Sequence, residues 1–358
     1  MPSQAPKTTQ HLLIDAARLD EEPARRAMAI AAETLRRGGT VALPTETVYG
    51  LGANAFDAAA VAGIFAAKQR PAWDPLIVHV SDSAMLQRVV REIPAAAERL
   101  MAAFWPGPLT LLLPRGSEIP ANVTAGRDRV GVRMPAHPVA RALIGAAGVP
   151  IAAPSANRFG HTSPTTAQHV LDDLAGRIDV VLDAGPTQCG IESTVVEVQD
   201  GGVVLYRHGA VIAEAIAGIV GPVTIYVPPA RDVENPQSLP SPGVGIRHYA
   251  PRAQVIPVAI AAEDPQNPAD QFLAALENAG SLAEVGVLLP TGWPVPAAME
   301  GRSFDWGAWE QPEEMAQRLF AGLRALDDLG VARIYCPLPP AAGLGAAIRD
   351  RLMKAAMR

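Results

Sequence analysis

The stretch PPARDVENPQSLPSPGVG, residues 228–245, constrains the fold more than any other. It is rich in proline, glycine and polar residues and has neither helical nor strand periodicity, so no regular element runs through it. Strand and helix patterns alternate on both sides of it. The chain therefore reads as two α/β bodies, and 358 residues, at roughly 100–200 per domain, also point to two. The boundaries expected are 1–220 for the first domain, 221–251 for the linker and 252–358 for the second domain.

In the first body, Ala24, Ala27, Met28, Ala31 and Leu35 recur at helical spacing after Asp20-Glu21-Glu22-Pro23, which offers Asp20 as N-cap. Asp57 caps a second helix that runs to about Gln69 and stops before Pro71. Apolar runs at 40–43, 76–80, 109–113, 130–134, 149–153 and 179–183 read as strands, and 194–206 as a hairpin. Helices are expected near 83–91, 94–104, 138–147 and 165–175, and residues 1–12 as a polar tail. The mixture predicts an open, twisted, mixed α/β sheet. Beyond the linker, strands at 254–260, 285–289 and 333–337 alternate with helices at 268–279, 312–328 and 344–356, the pattern of a smaller parallel α/β domain.

Hydrophobic residues make up 49% and charged residues 18%, which excludes a disordered chain. No apolar run approaches the ~18 residues of a membrane span. The N-terminus MPSQAPKTTQ lacks the pattern of a signal peptide. Cys189 and Cys336 are far apart and form no CxxC, which suits a reducing, cytoplasmic setting. The net charge of −6 limits any nucleic-acid contact to a local patch. There is no GxxxxGK[ST], HExxH or GxSxG. Gly50-Leu51-Gly52 fits a loose dinucleotide fingerprint but lacks the acid about 20 residues on.

Polar groups instead collect at strand ends. Pro44-Thr45-Glu46-Thr47-Val48-Tyr49-Gly50-Leu51-Gly52 follows a strand; it is either a functional loop or a polar turn. Lys68 and Arg70 end a helix, and only three of the 30 basic residues are lysines (Lys7, Lys68, Lys354). Such a pair fits a phosphate tail, with Arg as a planar fork and Lys as a point charge; it also fits a helix dipole. Pro154-Ser155-Ala156-Asn157, Ser163-Pro164-Thr165, Glu192-Ser193-Thr194 and Arg207-His208-Gly209 follow at other strand ends. Arg133 lies in an apolar strand and needs a partner, either a structural acid or a substrate carboxylate. With no activated nucleophile, the set suits charge stabilisation of a polyanion rather than covalent catalysis.

In order and spacing these motifs resemble the YrdC-like family. Ser241-Pro242-Gly243, His248-Tyr249-Ala250-Pro251 and the glycine-led last helix are similar to its two-domain branch, the threonylcarbamoyl-AMP synthases. The resemblance spans about 20–358. It implies an L-threonylcarbamoyladenylate synthase, a nucleotidyltransferase. L-threonine, bicarbonate and ATP with Mg²⁺ would give threonylcarbamoyl-AMP and pyrophosphate, with no tightly bound cofactor and no resident metal. A tRNA threonylcarbamoyl transferase would be the partner. By motif, Lys68 and Arg70 are the expected catalytic pair facing the ATP phosphates. Asp74, Arg129, Ser155, Asn157, Ser163, Arg207 and Tyr249 complete the ATP set, with the linker as a lid. Thr45, Thr47, His79, Arg133, Ala153 (through its backbone) and Ser193 form the threonine set. Asp74, Arg129 and Val244-Gly245-Ile246 depart from the usual family pattern. Two alternatives share the fold: an RNA-binding or maturation factor that contacts double-stranded RNA, and an enzyme taking carbamoyl phosphate in place of threonine.

Overall fold

The computed structural model describes residues 7–199, 202–228, 240–241, 248–261, 267–278 and 281–357. The chain divides into two compact units. The first contains Met1–Phe159, Ser163–Gln188 and Glu192–Val244; the second contains Gly160–Thr162, Cys189–Ile191 and Gly245–Arg358.

In the first unit the elements run β1 (Gln10–Leu13), α1 (Glu22–Arg36), β2 (Val41–Leu43), β3 (Gly50–Asn54), α2 (Ala58–Lys68) and β4 (Ile77–His79). There follow α3 (Ser83–Val89), α4 (Ala95–Phe104), β5 (Leu109–Pro114), β6 (Arg129–Arg133), α5 (Pro138–Ala147) and β7 (Ile151–Ala152). The unit closes with α6 (Ala167–Leu174), β8 (Val180–Asp183), β9 (Thr194–Gln199), β10 (Gly202–Arg207), α7 (Ala213–Val220) and β11 (Val223–Ile225). The strands form one 11-stranded sheet in the order β1-β8-β2-β3-β7-β4-β6-β5-β9-β10-β11. Parallel pairs such as β4–β6 and β5–β9 sit beside antiparallel pairs such as β5–β6 and β3–β7, so the sheet is mixed, as expected from the sequence.

Local sequence explains most of these elements. The apolar stripe Ala24, Ala27, Met28, Ala31, Leu35 is the buried face of α1, which packs on α5. Its N-cap is Glu21 rather than Asp20, and no side chain caps it. Asp57 does cap α2, accepting from the backbone N–H groups of Ala59 and Ala60. Gln69 then turns left-handed at φ 55° and ends the helix ahead of Pro71. The segment expected to be helical over 165–175 is shorter, because Thr166 is the cap of α6 and Ser163 is engaged elsewhere.

Several strands escaped the sequence reading. Gln10–Leu13 are not a tail but β1, which pairs in parallel with β8, Gln10 opposite Val180. The segment Gly50–Asn54 is a central strand, antiparallel to both β2 and β7. A Cβ on Gly52 would come within 2.6 Å of Ile151 Cγ2, so only glycine lets these strands close.

The second unit holds β12 (Gln254–Val258), α8 (Pro268–Glu277), β13 (Val285–Leu289), β14 (Ser303–Asp305), α9 (Pro312–Asp328), β15 (Arg333–Pro337) and α10 (Leu344–Ala356). Its sheet runs β12-β15-β13-β14 with every pair parallel, as the strand–helix alternation predicts, but the edge strand β14 is a fourth strand that the sequence pattern did not disclose. Phe272, Leu276, Val285, Val287 and Leu289 lie in its core. Burial of each such side chain contributes about 1.5–3 kcal/mol. Most of the linker, and with it Val244-Gly245-Ile246 and the expected lid, lies outside the described residues.

Candidate active site

Strand alternation gathers His79, Arg129 and Arg133 on one face of the first unit's sheet. Directly paired residues share a face, as do residues two apart on a strand. The register pairs His79 with Arg133, Ile77 with Gly131, and Gly131 with Leu112. Arg129, Gly131, Arg133, Ile77, His79, Thr110 and Leu112 therefore point the same way. A Cβ on Gly131 would meet Ile77 Cγ1 and Thr110 Cγ2 at 3.4 Å, so neighbouring side chains close over the sheet between the two arginines. Ser155 extends the face by a bridge to Gly50.

Arg133 is the best-defined group. It is 3% exposed, and its guanidinium is fixed in three directions. Nε donates to Gly107 O at 3.1 Å, Nη1 donates to Thr47 Oγ1 at 2.9 Å, and Nη2 lies 2.7 Å from Glu46 Oε1. Of the two partners that the sequence left open, the structural acid is present as Glu46, to which no role was assigned. Thr45 Oγ1 lies 2.8 Å from Thr47 Oγ1 and donates to Val48 O at 2.6 Å, closing the loop on itself. The functional and the polar-turn readings of this loop are therefore compatible: the hydroxyls build the turn and one of them holds Arg133.

Electrostatics around this arginine follow from burial. Burial is the largest influence and works against the Glu46 carboxylate, but the Arg133 charge, a hydrogen bond from Arg133 and the backbone N–H groups of Ala136 and Glu46 together outweigh it and hold the group below the usual carboxylate range. His79 is pushed down to about 3, first by burial and then by Arg133. It is therefore a neutral imidazole at physiological pH. An unfolded histidine titrates near 6.5, so this contribution to stability is complete above that pH and declines as pH falls toward about 3. Loss of the Glu46 charge in acid acts in the same direction. At pH 4.5 the His79 share of the loss is expected to be about 2–3 kcal/mol. Thermal unfolding of wild type and His79→Gln between pH 7 and 4.5 checks it: the variant should lose distinctly less stability in acid.

A second arginine–hydroxyl unit lies where β9 begins and its antiparallel neighbour β10 ends. Arg207 donates from Nε to Ser193 O at 3.0 Å and from Nη2 to Ser193 Oγ at 3.1 Å. Ser193 Oγ in turn lies 2.8 Å from Thr110 Oγ1. Ser163 is buried and donates to Glu192 Oε1 at 2.5 Å. Thr110, Glu46 and Glu192 were missed as contributors. Glu46, the carboxylate between two threonines, and Glu192, in the strand-end motif Glu192-Ser193-Thr194, left a trace in the sequence; Thr110 did not.

The Lys68/Arg70 pair is placed unlike a surface phosphate clamp. Lys68 is 1% exposed, and its Nζ donates to Ser155 O at 2.6 Å and to Asn157 O. Burial, with the neighbouring Arg70 charge, lowers its pKa well below the usual lysine range. Arg70 donates to Asp74 O at 3.2 Å and Pro75 O at 2.8 Å, and pairs with Asp74 Oδ2 at 2.9 Å. Asp74 thus meets the arginine of its own motif. Asn157 is fully buried and donates to Arg158 O. Ala153 donates its N–H to Ile77 O, which commits that donor to the sheet. Arg129 shares the face of Arg133 at the other end of β6 and pairs with Glu197 at 3.0 Å. Tyr249 belongs to the second unit, where its ring stacks on Phe320 with centroids 5.6 Å apart and Arg351 lies over it at 5.2 Å. No cluster of three metal-ligating side chains occurs among the described residues, and no helix among them is long and apolar enough to cross a membrane.

Comparison with known proteins places the chain. Residues 33–209 match the Sua5/YciO/YrdC family model, described as "Telomere recombination". Residues 211–357 match a model described as "Threonylcarbamoyl-AMP synthase, C-terminal domain". The threonylcarbamoyl-AMP synthase of Pyrococcus abyssi is 42% identical over 91% of this chain and 93% of its own length. The Bacillus subtilis threonylcarbamoyl-AMP synthase is 42% identical over 92% of each chain. The crystal structure of P. abyssi Sua5 complexed with L-threonine superposes with a TM-score of 0.82 at 39% identity, covering 98% of this chain and 97% of that one. Matches of this extent across both units mean that the chain belongs to the two-domain threonylcarbamoyl-AMP synthase family.

Proposed function

We propose that the protein is an L-threonylcarbamoyladenylate synthase that joins L-threonine, bicarbonate and ATP into threonylcarbamoyl-AMP with release of pyrophosphate. The product would pass to a transferase acting on tRNA. The observation that carries this reading is the pair of buried guanidinium groups, Arg133 and Arg207, each fixed to a hydroxyl side chain, Thr47 and Ser193. Two fixed cations at one site suit an amino-acid carboxylate and a nucleotide.

In this reading the threonine set is Thr45, Thr47, His79, Arg133, Ala153 and Ser193. Arg133 faces the carboxylate with a guanidinium already oriented, so little ordering cost remains at binding. Neutral His79 offers a polar contact without adding charge. The deprotonated amine attacks the bicarbonate carbon and water is expelled, giving a carbamate; a carbamate oxygen then attacks the α-phosphorus of ATP in line and pyrophosphate leaves. The protein contributes position and fixed charge.

The nucleotide set is Ser155, Asn157, Ser163, Arg207, Arg129 and Asp74, with Tyr249 and the linker as a lid. Lys68 and Arg70 hold the loops 154–158 and 71–75 by their carbonyls while supplying positive charge beneath the phosphates. Mg²⁺ arrives on ATP as part of the substrate. A cytoplasmic location and a transient RNA contact also belong to this proposal. Pyrophosphate release from ATP and bicarbonate, dependent on L-threonine and not on serine, tests it. Release driven by carbamoyl phosphate instead would keep the fold and change the substrate.

A further inference from the structure

We infer that Glu46 is the subsite for the amine of the amino-acid substrate, an inference that rests on the function proposed above. The carboxylate is 4% exposed, and one oxygen, Oε1, lies 2.7 Å from Arg133 Nη2. Beyond that ion pair neither Oε1 nor Oε2 has a hydrogen-bond partner of good geometry, although the backbone N–H groups of Ala136 and of Glu46 itself are close enough to favour the charged form. A buried carboxylate with an unfilled acceptor site is costly, and a cationic donor would complete it.

The charges nearby identify that donor's class. Arg133 and Glu46 together are neutral. The remaining titratable groups facing Glu46 are His79, held neutral, and His137, whose pKa burial also lowers. An α-amino acid is itself a neutral pair, with carboxylate and ammonium on one carbon. Set against Arg133 and Glu46, each end meets its opposite charge, and the reversed orientation brings like charges together. Thr47 Oγ1, bound to Arg133 Nη1, fixes which side of the guanidinium is offered. The same contact persists through the reaction: of the three ammonium protons one passes to solvent, one leaves in the water expelled from bicarbonate as the C–N bond forms, and the third stays on the carbamate nitrogen as the N–H facing Glu46. Glu46 is thus a selectivity group: it distinguishes an amino acid from the corresponding hydroxy acid.

Titration calorimetry on the full-length chain tests this. The ligands are L-threonine and the hydroxy acid that carries a hydroxyl in place of its amine. Wild type is expected to prefer threonine by about 30-fold or more, in line with a charge-assisted contact. In Glu46→Gln that preference should fall to within about 3-fold. A purely structural role would weaken both ligands equally, and that result, or an unchanged preference in a folded Glu46→Gln, overturns the inference. If Glu46→Gln does not fold, Glu46→Asp decides the matter. Its set-back carboxylate should weaken threonine more than the hydroxy acid, and equal weakening overturns the inference. Wild type that binds threonine without preferring it also overturns the amine subsite alone. Wild type that neither binds threonine nor releases pyrophosphate with it overturns the proposed function as well.

Discussion

Arg133→Lys is expected to reduce threonine-dependent pyrophosphate release by about 10²–10³-fold while leaving the chain folded. Lysine keeps the charge but not the fork. Arg133 fills three directions at once, toward Gly107 O, Thr47 Oγ1 and Glu46. A single ammonium on a flexible stem cannot hold all three and present an oriented face to a carboxylate. The Glu46 charge keeps a cation nearby, so the several kcal/mol lost on stranding a buried charge are avoided. Steady-state kinetics should place much of the effect in KM for threonine, with KM for ATP little changed. Equal weakening of both substrates would mean that Arg133 supports the sheet and does not face threonine.

Lys68→Met should lower both stability and turnover. Methionine fills much of the volume and removes the donors that reach Ser155 O and Asn157 O. Leaving buried acceptors without a donor costs about 1–3 kcal/mol each, so a loss of about 3 kcal/mol in denaturant unfolding is expected. Turnover should fall by about 100-fold, because loop 154–158 carries Ser155 and Asn157 and the local positive charge is gone. A surface phosphate clamp would behave differently, losing turnover with unchanged stability. Unfolding and pyrophosphate release measured on one sample separate the two roles.

The residues also show what a sequence can disclose. Asp57 as a cap, the stripe of α1 and the alternating second unit were legible because each depends on neighbours within a turn or two. β3 was not, since Gly50-Leu51-Gly52 has no strand propensity of its own; its identity comes from pairing with β2 and β7. β1, β11 and the short α7 share that cause: their few residues are ordered by partners distant in sequence or by the sheet they cover. The candidate site was legible as motifs at strand ends but not as contacts. Thr47 and Arg133 are 86 positions apart, and only the register of the sheet and the fold of the loop after β2 bring them together. The likeness of Lys68-Gln69-Arg70 to a clamp concealed that its cations are bonded to backbone carbonyls.

The most direct test of the central claim uses isotopically labelled bicarbonate with ATP and L-threonine. Mass spectrometry of the quenched mixture should show threonylcarbamoyl-AMP carrying the label, formed together with pyrophosphate and absent when serine replaces threonine. Unlabelled AMP and pyrophosphate appearing regardless of the amino acid, or no turnover beside tight binding of double-stranded RNA, would contradict the account.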